Sequence, residues 1–533
     1  MKRFFYTIVI LFITFTLNAQ DKTENQGQSI ELPDFVITGV QSIEIPVQKK
    51  PRPELIPILS KDFFNPIYAP EEFELSDFSK PVKKDAVIFN NNNANNGMFY
   101  VGAGIHTLPT GEFYFNTGSE HFLLSANLWG TNIKDYENYS DYNISGANLN
   151  TDFFVGINSS FMPGLKISLN ADYVRDAYRF YGTFNPADKR EREKGKAGIS
   201  FSNLLNKNIK YSLDFSGSVF KLSDNALQEN VTSANGFIEL NMNKLAAGGN
   251  VLFKTQALKN YFPDTKNNFI STSAYLKIKT SSALHAKIGI TYSKQDSNSF
   301  IAPNASVSAK LGKNLAFFGE YSPYAEFNTI DQLTEKNRFY ILGFDQNIFT
   351  EVKSNFKGTL KYQYNKYFEI SAGVGYSKID NFIYFAEIVD PGEFYLMTAD
   401  DVNKTYMFAD LLFYLGPYGE FYGSTLYQSV KTSGGNYIPY IPKLSAELLY
   451  KFNFTEDLYV KMGIQFEFDY QSDLIHRKIR NDFNNLFASF GYSITDNLLF
   501  KATVENILNS ENYRFNNYKE KPFDVLAGVE YRW

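Results

Sequence analysis

At 533 residues with no cysteine, the chain excludes disulfide frameworks, thiol nucleophiles, cysteine zinc sites and lipidated cysteines. A formal net charge of −5, from 52 Lys+Arg against 57 Asp+Glu, gives no basic face for nucleic acid. Aromatic residues reach 17% while hydrophobics as a whole reach only 44%, and beyond the first twenty residues no apolar run approaches the ~18 needed for a spanning helix. A polytopic helical membrane protein is thereby excluded.

In chain order, residues 1–19 read as an export signal. Lys2 and Arg3 precede an apolar run that ends at Leu17, and Ala19 supplies the small residue for cleavage. Residues 20–96 follow as an extended periplasmic N-terminal segment. It holds Pro33, Pro46, Pro51, Pro53, Pro57, Pro66, Pro70 and Pro81 and closes in the Asn-rich linker 90–96. Its basic stretch Lys49–Arg52 reads as a partner contact or as a solubilising run.

From 97 to 533 the pattern changes to strict alternation. Leu458, Val460, Met462, Ile464, Phe466, Phe468 and Tyr470 fall on one face, and Lys461, Gln465, Glu467 and Asp469 on the other. Leu165, Ile167, Leu169, Ala171 and Tyr173 repeat this against Lys166, Ser168, Asn170 and Asp172. A period of two over a dozen residues means β-strand with one apolar and one polar face. About 22 such segments run from 97–106 to 522–533.

Their connections sort by length. Short turns, such as 118–120, 160–164, 244–248, 416–417 and 495–497, alternate with longer polar stretches such as 132–145, 180–192, 328–349, 380–404 and 510–521; two outward loops, 107–110 and 297–300, are brief. A barrel crossing an outer membrane sorts its connections this way, with turns in the periplasm and loops outside. Backbone groups in hydrocarbon must be paired internally, so with helices excluded only a closed barrel can span. The fold expected is all-β, a transmembrane antiparallel β-barrel over 97–533 in the outer membrane of a Gram-negative bacterium, surrounded by its lipid. An even strand count leaves both barrel ends in the periplasm. The competing architecture is a secreted multi-domain β-sandwich protein.

The last strand places Phe523, Val525, Ala527, Val529, Tyr531 and Trp533 on one face. A terminal aromatic on an alternating strand resembles the signal read by the barrel assembly machinery, with Phe523, Val529, Tyr531 and Trp533 as its candidate residues. The stretch Leu498–Asn509, then Tyr513, a polar loop and Gly528–Trp533, resembles the last two strands of TonB-dependent receptor barrels, and Tyr437–Leu448 resembles the start of their late strands. The detailed likeness covers about the last hundred residues, and the strand count extends it to the whole barrel. It implies transport or ligand uptake across the outer membrane.

Near the other end, Glu31–Gly39 resembles the family's TonB box, which pairs as an added strand with the energising protein TonB. Asp34, Phe35, Val36, Ile37, Thr38 and Gly39 are the candidate contacts with TonB or another periplasmic protein; Phe35–Thr38 favour an extended backbone free to form ladder bonds. The chain departs from the family between box and barrel. The receptors carry a folded plug of well over a hundred residues there, whereas this chain has only 40–96, rich in Pro and Asn. A lumen this wide leaks if empty. The N-terminal segment, inward-folded loops such as 328–349 and 380–404, or a partner must fill it. The missing plug keeps a second function open, a structural barrel that docks periplasmic partners through its tail.

Catalytic motifs are lacking: there is no Gly-x-Ser-x-Gly elbow, phosphate loop or His-Glu-x-x-His. No enzyme activity, cofactor or metal is expected, and His106, His121, His285 and His476 lie far apart in sequence. Gly373 and Gly375 sit within a strand and read as a packing site. Asp400-Asp401 reads as a solvated acidic loop before a cation site. Lys189–Lys196, of mixed charge, reads as a solvated rim before a contact with lipopolysaccharide phosphates.

Overall fold

The computed structural model describes residues 96–533 apart from 187–188, 261–263, 282, 344–348, 365–367, 389, 415–418, 456 and 475–481. The signal 1–19, the TonB-box-like residues Asp34–Gly39 and the basic stretch 49–52 lie outside the described residues.

The alternating segments form one antiparallel sheet that closes on itself. The first strand, Gly97–Gly104, pairs with Thr107–Ser119 on one side. On its other side it pairs with the last, Asp524–Arg532, from Met98↔Arg532 to Gly104↔Leu526. Between these the strands follow sequence order. One of them is split: Leu315–Tyr321 and Tyr324–Phe327 both pair with Phe349–Tyr364. The break falls at Ser322-Pro323, where proline has no N–H to give the ladder. Counted as one, it makes the barrel 22-stranded, as the alternation predicts.

The membrane orientation is legible in exposure. Along Ile209–Leu222, Leu213, Phe215 and Val219 point outward and exposed, while Ser212, Asp214, Ser216 and Ser218 face inward and half-buried. The same outward band continues through Val101, Leu128, Ile238, Val251, Leu276, Ile288, Val374, Met407 and Val529. Ile301 is 65% and Ile288 57% exposed, a continuous apolar surface that water would penalise and hydrocarbon accepts. At the periplasmic end an aromatic girdle runs Tyr364–Phe368–Phe413–Phe421, with ring centroids 5.6–6.3 Å apart. It continues through Phe452–Phe454 and through Tyr531–Trp533. Among the described residues no helix is long and apolar enough to cross a membrane, and the spanning is done by strands.

Connections follow the predicted sorting with shifted bounds. The turn expected at 244–248 is the two residues Asn243-Lys244, with Asn243 in the left-handed conformation (φ 50°) that a tight hairpin demands. The first outward turn lies at 105–106 rather than 107–110, because Thr107 already belongs to the next strand. The periplasmic connection expected at 160–164 spans 155–165. Gly373 and Gly375 are packing sites as read: a Cβ on either would strike the ring of Phe408 or Tyr406.

Candidate functional site: the loop cap and the lumen beneath it

Towards the outer end of the barrel the inward-facing positions change character. On Ile209–Leu222 the polar series Ser212–Ser218 gives way to Phe220 and Leu222, both buried. Tyr178 ends the inward series of Lys166–Arg179 in the same way. These side chains are buried because the outer loops fold across the mouth and rest on them.

The centre of this cap is aromatic. Phe339, from loop 328–348, stacks on Tyr518, from loop 506–523, at a centroid distance of 3.5 Å. Tyr181 meets Phe339 edge-on at 5.9 Å and Tyr518 at 5.0 Å. Phe394, wholly buried, joins Phe515 at 5.2 Å and Tyr440 at 5.2 Å. The Tyr518 hydroxyl donates to the Gly392 carbonyl at 2.8 Å, and Tyr178 donates to the Arg338 carbonyl. Five connections widely separated around the ring therefore meet over the lumen. Each large buried side chain contributes about 1.5–3 kcal/mol relative to exposure, with edge-on ring pairs adding about 0.5–1.5 kcal/mol.

Three loops have structure of their own. Residues 328–341 contain a short helix, Ile330–Lys336, opened by a capping box in which Thr329 and Gln332 exchange side-chain bonds with each other's N–H. Residues 381–401 form a hairpin of Phe382–Glu387 and Phe394–Ala399. Tyr513–Phe515 and Tyr518–Lys519 form another. Of the three candidates for filling the barrel, the inward-folded loops are thus placed at the mouth; the N-terminal segment lies outside the described residues.

Charged groups of the wall hold the helix-bearing loop. Glu229, 1% exposed, accepts from the Ile330 and Asp331 N–H groups at 2.8 and 3.1 Å and from the Gln256 amide. A carboxylate facing the first N–H groups of a helix satisfies donors that have no partner within it. Arg190, also 1% exposed, pairs with Asp224, donates to the carbonyls of Arg338 and Tyr340 at 3.1 and 2.7 Å, and lies over the Phe180 ring at 4.3 Å. Arg192 grips Asp176 through two bonds, and Lys194 bridges Asp331 and Glu335 at 2.6 and 2.9 Å. Burial raises the Asp331 carboxyl above its ordinary range despite Lys194. Burial likewise pushes the Tyr136 hydroxyl up to about 12, so it stays a donor to the Lys519 carbonyl.

This corrects the reading of Lys189–Lys196 as a solvated rim. The stretch is a strand, Lys189–Asn203, and its sign alternation puts Arg190, Arg192, Lys194 and Lys196 on the inward face and Glu191 and Glu193 outside. Arg175 pairs with both outer glutamates. The signal was available: charges that alternate with period two on a strand cannot share one solvent face. The sequence does not announce the loop contacts of Arg190 and Glu229, because Arg338 and Ile330 lie 148 and 101 residues away.

The other candidates fall out separately. Asp401 pairs with Lys378 at 2.8 Å and Asp400 accepts from the Asn381 N–H. No group of three or more metal-ligating side chains occurs among the described residues. Phe523, Val529, Tyr531 and Trp533 all face outward, 37–48% exposed, with Trp533 over Gly97 and 6.0 Å from Phe113.

Below the cap the lumen wall is polar. One recess of about 540 Å³ lies between Glu239, Tyr275, Lys277, Lys287, Asn304 and Glu320. Tyr275 donates to Glu239 at 2.8 Å. Such a surface can solvate a polar solute in transit.

No family model and no curated protein matches the chain. Solved structures do match. The ferric-catecholate import receptor Fiu from E. coli K12 is similar over 83% of this chain and 82% of its own, with a TM-score of 0.62 and 12% identity. The ferric enterobactin receptor PfeA from Pseudomonas aeruginosa matches over 82% and 81%, at 0.63 and 10%. The FrpB iron transporter from Neisseria meningitidis matches over 83% and 82%, at 0.62 and 10%. A closed 22-strand barrel with a lipid-facing apolar band belongs in the Gram-negative outer membrane, and its fold is that of the TonB-dependent receptor barrels its C-terminal strands resemble.

Proposed function

We propose that the chain is a receptor-like transporter that takes up a ligand through the outer membrane, admitting it where the loop cap now closes over the lumen. The observation that carries this reading is the cap itself, a set of loops from around the ring held by ion pairs and ring contacts over a polar interior. The import receptors of the same fold support it. In this reading Asp34–Gly39 adds a strand to TonB or another periplasmic protein, and Phe523, Val529, Tyr531 and Trp533 are read by the barrel assembly machinery.

A second reading is a plugless docking barrel that recruits periplasmic partners through residues 20–96. The stretch 40–96 favours it, since it is shorter than the receptors' plug and rich in Pro and Asn.

Single-channel conductance in planar bilayers separates the two. The full chain, a chain lacking 21–96 and the Phe339→Ala/Tyr518→Ala variant are compared. A pore opened by the truncation supports uptake gated from the periplasm. If only the cap variant conducts, the loops are the barrier and docking is the better reading. For the TonB contact, Ile37→Pro removes a ladder donor, and binding to the TonB C-terminal domain is expected to fall at least tenfold; undiminished binding removes that contact from the reading.

A further inference from the structure

At one point the ladder of the barrel wall stops in mid-strand. Pairing between Asn298–Lys310 and Leu315–Tyr321 ends at Ala305↔Tyr321. Continued by two residues, that register sets Pro303 opposite Pro323. Parity makes the match consequential. The Lys310 N–H turns away from this ladder to the Ala283 carbonyl, and the Ser322 N–H turns away to the Asn355 carbonyl. The odd-numbered positions of both segments therefore turn their backbone edges to each other, and at this pair neither residue has an N–H to give.

Beyond the prolines the two segments part. Tyr324–Phe327 stays paired to Phe349–Tyr364 but swings inward. Its Ala325 and Phe327 bury against Phe300 and Phe269 of the inner face, Phe327 stacking on Phe269 at 5.4 Å. Ser299 and Ile301 then turn their backbone edges into a gap, with no ladder partner on that side among the described residues. The gap opens to lipid, because Pro303 is opposite Ile290 of the outward apolar band. Its lips are Ile301 and Phe356, both exposed, with the Tyr321 ring 4.5 Å from that of Phe356.

Backbone outside a ladder is tolerated at membrane depth where it lines a cavity. The recess of about 540 Å³ beside Glu239 is that cavity: Asn304 and Ala305 line it from one side of the break, and Ser322, Pro323 and Tyr324 from the other. Deeper in the recess, Lys277 and Lys287 stand directly opposite each other on the inward face. An anion between them relieves their mutual repulsion. The carboxylates of the recess are engaged elsewhere, since Glu239 accepts from Tyr275 and Glu320 is opposite Lys357. Lys287 is opposite Ser306, five residues along the strand from Ile301, or about 17 Å at about 3.4 Å per residue.

We propose that the break is a lateral doorway for a single-chain amphiphile with an anionic head. The head rests on Lys277 and Lys287, and the chain leaves between Ile301 and Phe356 into the outer leaflet. The polar recess suits the head and the apolar lips suit the chain. This route is separate from the loop cap and from any periplasmic partner, so it stands whether or not uptake through the mouth does.

The test uses the full chain in lipid nanodiscs. The probe is hexadecanoate with a photoreactive diazirine at its methyl end, its methyl ester is the uncharged control, and adducts are mapped by mass spectrometry. On the native protein the acid is expected to label Ile301, Tyr321 and Phe356 at least fivefold above Leu128 and Met407, which are exposed in the same band on other strands. The ester is expected to label all of these positions alike. Lys277→Gln/Lys287→Gln is expected to abolish the preference, and Pro303→Val/Pro323→Val, which restores both ladder donors, to lower it at least threefold. Even labelling by the acid on the native protein overturns the proposal. So does an equal preference shown by the ester, or a preference undiminished in the lysine variant. The native-protein comparison decides even where a variant fails to assemble.

Discussion

The two ends of this barrel are built on different principles. The periplasmic end is closed locally: short turns, and one longer connection at 155–165, join neighbouring strands, and its rings touch across adjacent or next-nearest strands, as Phe368 touches Phe413. The outer end is closed globally, since Tyr178, Phe339, Phe394 and Tyr518 come from different parts of the chain and meet only when the sheet is complete. A periodic sequence is enough to specify the first kind of order. The second needs particular residues at particular places, and so it is the end at which single substitutions should be felt.

Arg190→Ala should have the largest effect. It strands Asp224 and the carbonyls of Arg338 and Tyr340, and breaking a buried charged contact costs about 3–5 kcal/mol. Hydrogen exchange of the 328–341 amides should rise steeply while that of the Phe368–Asp380 strand does not change. Equal exchange in both variant and parent would mean the wall does not hold the loop. Glu229→Ala should come next, leaving the first helical N–H groups unmet at about 1–3 kcal/mol, with the exchange increase confined to Ile330–Lys336. At the opposite end, Trp533→Ala should lower the yield of assembled, heat-modifiable barrel several-fold and leave exchange in 328–341 alone. A change there would show the two ends to be coupled. Asp401→Asn should do least. Its carboxyl is held below the usual range by the Lys378 hydrogen bond, so the pair persists above the ordinary aspartate range and is lost only as pH falls through the lowered value. The pair is solvent-exposed, and no measurable shift in the melting midpoint is expected between pH 7 and pH 5.

The same contrast explains how much was legible beforehand. Strand number, inside-outside parity and the sorting of turns from loops follow from local alternation, because each strand must present carbon to lipid and polar groups to the lumen. Even the packing role of Gly373 and Gly375 follows from their place in a strand. The cap does not: nothing near Tyr518 announces Phe339 or Gly392, and the helix at Ile330–Lys336 is too short to stand out from a polar loop. Two traces were present, the alternating charges at 190–194 and the inward-parity Phe220 and Leu222, where a lumen position turns apolar. Each becomes intelligible only once a loop is known to lie on it.

The seam between Gly97–Gly104 and Asp524–Arg532 carries a consequence for how the molecule is made. Thr107 donates to Asp524 across a separation of 417 residues, so the sheet has two open edges until its final strand is in place. Neither edge can be left in hydrocarbon, because its N–H and C=O groups would have no partners. Nor can it be left bare in water without inviting pairing with another chain. Biogenesis must therefore run with both edges chaperoned, and the act of closing the ring is the moment at which the protein becomes independent of its helpers.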